Sequence, residues 1–456
     1  MIPVDLSLIR KYDQPAPRYT SYPTAAQFRD YADPAPLLAP LAEANRDGAL
    51  PLSLYFHLPF CETLCWFCGC TTVITLNRRT SDAYLDYLEK EVALMAPGVH
   101  PGRRVTQLHY GGGTPTFFQA HQLRRLDAIT RRHFQFAPGA ELSVEIDPRR
   151  LAREQVAALR EGGFTRASLG VQDFNPKVQE AVHRIQPRAL TEQAIGWLRA
   201  EGFNSLNLDL IYGLPYQTVD TFRDTLEQVI ELNPDRLAVF SYAHVPWMKP
   251  AQKILEREAA LPPPEAKLEM FKLTIETLTA RGYVYIGLDH FARATDELAV
   301  AQAAGTLQRN FQGYSTRAGA EIMSFGISAI SQTPASYRQN TKSLDAYYAA
   351  LDRGRAPACR GLELTVEDVR RREIIMRIMC DLRLDYAALS REFGRDFAAS
   401  YATELARLRP LAADGLVELQ PDGLRVTGAG RLFLRNIAVG FDAHFTAEPR
   451  QHARAV

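Results

Sequence analysis

Residues 52–72 read LSLYFHLPFCETLCWFCGCTT and hold Cys61, Cys65, Cys68 and Cys70, four of the six cysteines in the chain. The first three are spaced C-x3-C-x2-C. Three thiolates on one short loop can hold three irons of a cubane cluster and leave the fourth iron open to a small ligand, whereas an electron-transfer cluster usually has four cysteines. The loop follows a strand whose last residues are 55–58, with Pro59 ending it, and catalytic groups sit at the C-terminal ends of barrel strands. Other metal chemistries fit the same residues. Cys65 and Cys68 alone form C-x-x-C, as in zinc sites or redox dithiols. A zinc ribbon needs a second knuckle, which the distant Cys359 and Cys380 do not make, while a site of three cysteines and His57 stays open. A disulfide framework does not suit so large and cysteine-poor a chain.

The 456 residues suffice for two or three domains and a large core. With 46% hydrophobic and 23% charged residues, the composition is that of an ordinary soluble globular protein. A formal net charge of +1 gives no global field toward nucleic acid or an anionic membrane, so neither is expected as a partner. Neither a leader-like N-terminal segment nor an apolar run long enough to span a bilayer is visible. The expectation is a cytoplasmic protein, where thiolates stay reduced.

From 52 to about 245, strands and helices alternate. Strands are expected at 52–58, 105–110, 141–147, 166–172, 205–211 and 236–243. Helices are expected at 81–95, 119–134, 151–161, 190–201 and 218–232. Repeated βα units imply a parallel sheet with right-handed crossovers. Buried parallel strands normally read as continuous apolar runs, but these alternate with period two. Leu52, Leu54, Phe56 and Leu58 oppose Ser53, Tyr55 and His57; Leu142, Val144 and Ile146 oppose Ser143, Glu145 and Asp147; Leu206, Leu208 and Leu210 oppose Asn207 and Asp209. A closed eight-stranded barrel fills its centre with branched apolar side chains. Six units with polar inner faces therefore predict a partial, open (β/α)6 TIM-like barrel around a polar ligand, with a two-layer sheet solvated on one face as the alternative.

The second strand runs into HYGGGTP at 109–115, which lacks the pattern of a Walker loop or a dinucleotide fingerprint. Its glycines let backbone groups approach a ligand closely, and a tight turn is an equal reason for them. Residues 1–50 read as an extended arm or lid, since prolines at 15, 17 and 23 forbid a continuous helix. After 250, a helix is expected near 265–281, a strand at 283–287, and a loop and turn at 306–332 packed over the barrel mouth. An amphipathic helix at 365–382, helices at 386–394 and 400–413, and a strand-like 416–427 suggest a small winged-helix-like unit within 336–456. It is not basic enough for a DNA-binding role. The domains expected are thus 1–50, a barrel with its extension at 51–335, and a mainly helical unit at 336–456.

The cysteine triplet after one strand and GGGTP after the next resemble the radical S-adenosylmethionine superfamily. PRYTSYPT (17–24), YFHLPFCETLCWFCGC (55–70), GGGTPT (111–116), EIDP (145–148), GVQDF (170–174), NLDLIYGLP (207–215), NFQGYST (310–316) and GISAIS (326–331) are similar to the oxygen-independent coproporphyrinogen III oxidase family. The resemblance runs through nearly the whole chain. It implies a [4Fe-4S] cluster on Cys61, Cys65 and Cys68, whose open iron is chelated by S-adenosylmethionine. One electron cleaves the sulfonium, and the 5′-deoxyadenosyl radical takes hydrogen from a propionate, which loses CO2 and an electron to become vinyl. Two propionates of coproporphyrinogen III react to give protoporphyrinogen IX, with two molecules of S-adenosylmethionine used.

By the same resemblance Tyr55, Gly112, Glu145 and Ile330 contact one S-adenosylmethionine. Phe67, Gly113, Thr114, Gln172, Arg184, Asp209 and Ala243 contact a second. Cys70, Tyr55 and His57 are the candidate catalytic residues. Cys70 is not a ligand in the family but is linked to activity. The related haem-chaperone branch has the triplet with an aromatic at this position and lacks the YTSYPT arm. A haem-opening methyltransferase or a haem chaperone is the alternative function. Flavodoxin or ferredoxin is the expected electron donor, Arg18 and Arg317 are candidates for holding intact propionates, and a monomer is the simplest expectation.

Overall fold

A computed structural model describes residues 2, 4–45, 48–257, 261–317 and 319–446. The six expected βα strands form as β1 (Leu52–Leu58), β2 (Arg104–Gly112), β3 (Gln135–Ile146), β4 (Arg166–Gln172), β5 (Ser205–Tyr212) and β6 (Arg236–Ser241). They are parallel neighbours in sequence order. Beyond β6 lies a hairpin of β7 (Tyr283–Gly287) and β8 (His290–Arg293), with β8 antiparallel to β6. On the other side of β1, β9 (Glu321–Phe325) runs parallel to it, followed by antiparallel β10 (Ile330–Gln332), β11 (Ser336–Asn340) and β12 (Ala358–Glu363). Among the described residues β7 has no second neighbour and the far side ends on the short strand Arg29–Asp30, so the barrel is open.

The alternation sets which face is which. Along β5 each residue from Ser205 to Tyr212 is in turn partly exposed and buried. The apolar set faces the helices. Arg79–Met95 presents Leu85, Leu88 and Val92, and Ala120–His133 presents Leu123, Leu126 and Ile129, spaced three or four apart on one side. Each such side chain, fully buried, contributes roughly 1.5–3 kcal/mol. The polar set lines the open interior, where a ligand rather than a core must fill the space.

Two sequence expectations are corrected. Residues 306–332 are not all loop: β9 is a seventh parallel strand inserted between β1 and β10. All five of its residues are buried, so it lacks the alternation that marked the other six. The arm is not wholly extended either. Leu6–Tyr12 is helical, with the Asp5 carboxylate accepting from Ser7 N at 2.8 Å, and so is Ala35–Ala44 despite Pro40.

Between those helices the chain is a strap across the gap in the barrel. Arg18 ion-pairs with Asp289 in the β7–β8 turn, and the Tyr337 hydroxyl on β11 donates to Tyr22 O at 3.0 Å. A hairpin of Gln308–Asn310 and Gly313–Ser315 spans the same gap. Its Tyr314 ring lies 5.3 Å from His290 of β8, and its Phe311 ring 5.7 Å from Tyr337.

The C-terminal unit packs helix Val366–Asp381 and shorter helices on a three-stranded antiparallel sheet, the winged-helix-like shape expected. Residues 447–456 of the expected domain, and 1, 3 and 46–47 of the arm, lie outside the described residues. No helix among the described residues is long and apolar enough to cross a membrane.

Candidate active site

Register puts the cysteine loop and the glycine loop side by side, because Leu58 at the end of β1 pairs with Gly112 at the end of β2. Backbone bonds join them: Gly113 N donates to Leu58 O at 2.9 Å and Thr114 N to Phe60 O at 3.0 Å. Thr114 Oγ1 lies 3.3 Å from Cys61 Sγ. Gly113 is obligatory on steric grounds, since a Cβ there would sit 2.5 Å from Pro59 O.

His57 closes the far end of the loop. A carbonyl only accepts, so its Nε2–H donates to Thr71 O at 2.9 Å, leaving Nδ1 to accept from the Tyr55 hydroxyl at 3.1 Å. Burial holds the imidazole below its ordinary pKa, and therefore neutral. With both ring nitrogens engaged, His57 clamps Thr71 to β1. Segment 242–257 braces the outer side, with Lys249 Nζ donating to Cys70 O at 2.9 Å and Gln252 Nε2 to Phe67 O at 3.0 Å.

The three thiols of the triplet have different surroundings. Cys65 is buried, and its sulfur accepts from Arg149 Nη2 and Arg184 Nη1, each at 3.5 Å. Both guanidiniums pair with Asp147, at 2.6 and 3.2 Å. Burial alone would raise Asp147, but Arg184 and Arg149 hold its carboxyl at about 2. Cys61 is pushed up to about 11 by burial. Cys68 is drawn down to about 6, chiefly by a hydrogen bond from the Cys70 thiol, and Cys70 N also donates to its sulfur at 3.4 Å. Cys70 itself is exposed. Among the described residues no three His, Cys, Asp or Glu side chains close on one point as a single metal ion requires.

Inside the barrel, Gly112 N donates to Glu145 Oε2 at 3.0 Å, and His109 lies 3.4 Å from Oε1. Against the opposing cost of burial, these groups keep Glu145 below its ordinary pKa. The Tyr55 ring stacks on His109, 5.8 Å between centroids. On β5, Asp209 accepts from Ser168 Oγ at 3.0 Å and Asn207 Nδ2 at 2.7 Å, yet burial raises it to about 6. Gln172 ends β4 with φ of 70°, a left-handed backbone that costs a non-glycine residue about 1 kcal/mol or more. Arg184 Nη2 donates to Gly170 O at 2.8 Å beside it.

Tyr55, His57, Phe67, Cys70, Gly112, Gly113, Thr114, Glu145, Gln172, Arg184 and Asp209 thus all lie at the C-terminal ends of β1 to β5 or on the polar inner strand faces. Ala243 follows β6, and Ile330 opens β10. Of the two arginines expected to hold propionates, Arg18 is on the strap. Arg317 is at the other end of the barrel, donating to Gly139 O at 3.1 Å near Glu141. Sequence reading missed Arg149, His109, Lys249 and Gln252. Arg149 was detectable, two residues past the EID that ends β3. The other three carry no spacing signal, because their partners are distant in the chain.

Comparison with known proteins agrees with this architecture. The radical SAM superfamily model matches residues 55–229 and the HemN C-terminal domain model matches 364–433. The chain is 46% identical to the oxygen-independent coproporphyrinogen III oxidase of Synechocystis sp., covering 97% of this chain and 96% of that one. It is 47% identical to the enzyme of that name from Escherichia coli, over 99% and 96%. A solved structure described as coproporphyrinogen III oxidase (HemN) from Escherichia coli, a radical SAM enzyme, superposes with a TM-score of 0.91 at 45% identity, covering 97% of this chain and 100% of that one.

Proposed function

The chain belongs to the oxygen-independent coproporphyrinogen III oxidases, radical S-adenosylmethionine enzymes of haem biosynthesis, and we infer that it converts two propionates of coproporphyrinogen III to vinyl groups, giving protoporphyrinogen IX. The observation that carries the reading is the contact between the cysteine loop and the glycine loop at the C-terminal end of an open barrel whose interior is polar. A haem chaperone or a haem-opening methyltransferase is disfavoured by relatives that share this name over nearly their full length.

We propose that Cys61, Cys65 and Cys68 hold the [4Fe-4S] cluster. The donor set fits: three thiols on one loop, with two guanidinium N–H groups already aimed at the Cys65 sulfur. Hydrogen bonds to cluster sulfurs raise the reduction potential, so Arg149 and Arg184 would tune it. When bound, the cluster and S-adenosylmethionine supply the one-electron cleavage of the sulfonium and the radical that takes hydrogen from the propionate. The chain's part is to bind, orient and exclude water. By the family resemblance, Glu145, Gly112, Tyr55 and Ile330 would contact one S-adenosylmethionine and Phe67, Gly113, Thr114, Gln172, Arg184, Asp209 and Ala243 a second. Cys70, exposed and hydrogen-bonded to the Cys68 sulfur rather than counted among the three ligands, is left as the thiol free to meet substrate. A flavodoxin or ferredoxin as electron donor and a cytoplasmic location suit a reduced cluster.

Asp209 gives this reading a pH signature. A carboxyl raised to about 6 is ionised above that pH and can accept two ribose hydroxyls; below it, protonation removes one acceptor. Binding of the second S-adenosylmethionine should weaken about tenfold from pH 8 to pH 5. Asp209→Asn should bind as weakly at pH 8 as the wild type does at pH 5, with no pH dependence between. Calorimetry on the cluster-loaded protein reads this, and a flat wild-type profile refutes the role.

For the overall function, anaerobically reconstituted protein given reductant, S-adenosylmethionine and coproporphyrinogen III should release methionine, 5′-deoxyadenosine and decarboxylated tetrapyrrole. Cofactor cleavage without decarboxylation defeats the substrate assignment.

A further inference from the structure

Among the described residues, one guanidinium is buried with two of its N–H groups unpartnered and no ion pair. Arg309, on the hairpin that crosses the barrel gap, is 8% exposed. Its Nε and Nη1 are buried without a hydrogen-bond partner, and among the described residues it forms no ion pair. Other guanidiniums of the interior are matched with acids: Arg103 with Glu321 at 3.0 Å, Arg236 with Asp296 at 2.8 Å, Arg184 with Asp147. The acid near Arg309 is Asp289, and Arg18 already occupies it. The contact that remains is the Tyr314 ring, 4.7 Å from the guanidinium carbon. A cation–π contact offsets only part of the cost of burying an unpaired charge.

The neighbours sharpen the point. His290 stands opposite Ala238 of β6, and its Nδ1 is likewise buried and unpartnered. Burial and the Arg309 charge hold it neutral, down to about 3. It therefore cannot neutralise or repel an arriving anion, but it can hydrogen-bond one. Arg309 also lines a cleft of about 1550 Å3 between the strap, the hairpin and the C-terminal unit, with Thr20, Ser21, Gln302 and Tyr337 among its walls.

We propose that Arg309, with His290 and Arg18 beside it, receives a propionate carboxylate of the tetrapyrrole that is not being decarboxylated. The planar fork of a guanidinium matches a carboxylate in two parallel hydrogen bonds. The bound carboxylate would supply the missing counterion, and the hairpin would thereby hold the macrocycle across the open side of the barrel. This rests on coproporphyrinogen being the substrate.

The test uses the full-length, cluster-loaded protein with Arg309→Gln and Arg309→Lys. In Arg309→Gln the KM for coproporphyrinogen should rise about tenfold or more, as expected for loss of a paired carboxylate contact, with kcat changed less than about threefold. Arg309→Lys should recover part of that loss. Cluster absorbance and the change in its EPR signal on adding S-adenosylmethionine should stay as in the wild type. Because an unpaired buried charge is removed, the melting temperature of Arg309→Gln should hold or rise. An unchanged KM, or a melting temperature that falls together with cluster loading, overturns the assignment. A wild-type protein that fails to decarboxylate coproporphyrinogen overturns the function instead, so the two failures are distinguishable.

Discussion

Replacing Cys61, Cys65 or Cys68 by Ala is expected to abolish the iron–sulfur absorbance of the reconstituted protein and bring turnover to background, whereas Cys70→Ala keeps the absorbance and loses turnover. A cubane held by three thiolates cannot lose one and keep its corner iron, and no other thiol stands ready: Cys359 lies on β12, and Cys380 is buried in helix Val366–Asp381. Cys70 is only two residues from Cys68, and its backbone is committed, the N–H to Cys68 Sγ and the carbonyl to Lys249. Its truncation therefore removes an exposed thiol and its hydrogen bond to one ligand sulfur, a loss of about 10–100-fold if it acts only through that ligand and more if the thiol takes part directly. Iron and sulfide counts with the visible spectrum read the first effect, and product formation the second. Loss of the cluster in Cys70→Ala would mean that the ligand set is misassigned.

How much of this was legible beforehand depends on how local each signal is. The βα order and the polar inner faces could be read because a strand alternates with period two and each helix repeats within its own length. β9 escaped because it is buried on both faces and flanked by Gly- and Ser-rich segments, so period and composition both pointed to loop. The cysteine and glycine loops were visible as spacing. The brace on them was not: Lys249 and Gln252 meet the loop across gaps of 179 and 185 residues that no local pattern encodes. Arg317 illustrates the converse. Its residue type suits a carboxylate, but the fold puts it by Glu141 at the end of the barrel away from the cysteines. Arg309 immediately precedes the family-like NFQGYST, yet its lack of a partner is a property of three dimensions alone.

The second large effect needs no change of functional group. Gly113→Ala adds one methyl where Pro59 O lies 2.5 Å, Pro59 C 2.6 Å and Phe60 O 3.0 Å from the new carbon. These are backbone atoms of the cysteine loop, which cannot rotate aside as a side chain would. Relief requires the two loops to part, which strains or breaks the Gly113 N to Leu58 O and Thr114 N to Phe60 O bonds that join them. Overpacking of this kind, with one or two strained backbone hydrogen bonds, costs about 2–4 kcal/mol. A displacement of about 1 Å in a positioned reactive group costs about 100-fold in rate. The expected variant is therefore folded by circular dichroism, with a lowered melting temperature, partial cluster loading, and turnover per loaded cluster down about 100-fold. Turnover per cluster equal to wild type would mean that the glycine run serves only the turn, and that the loops need not touch for the reaction to proceed.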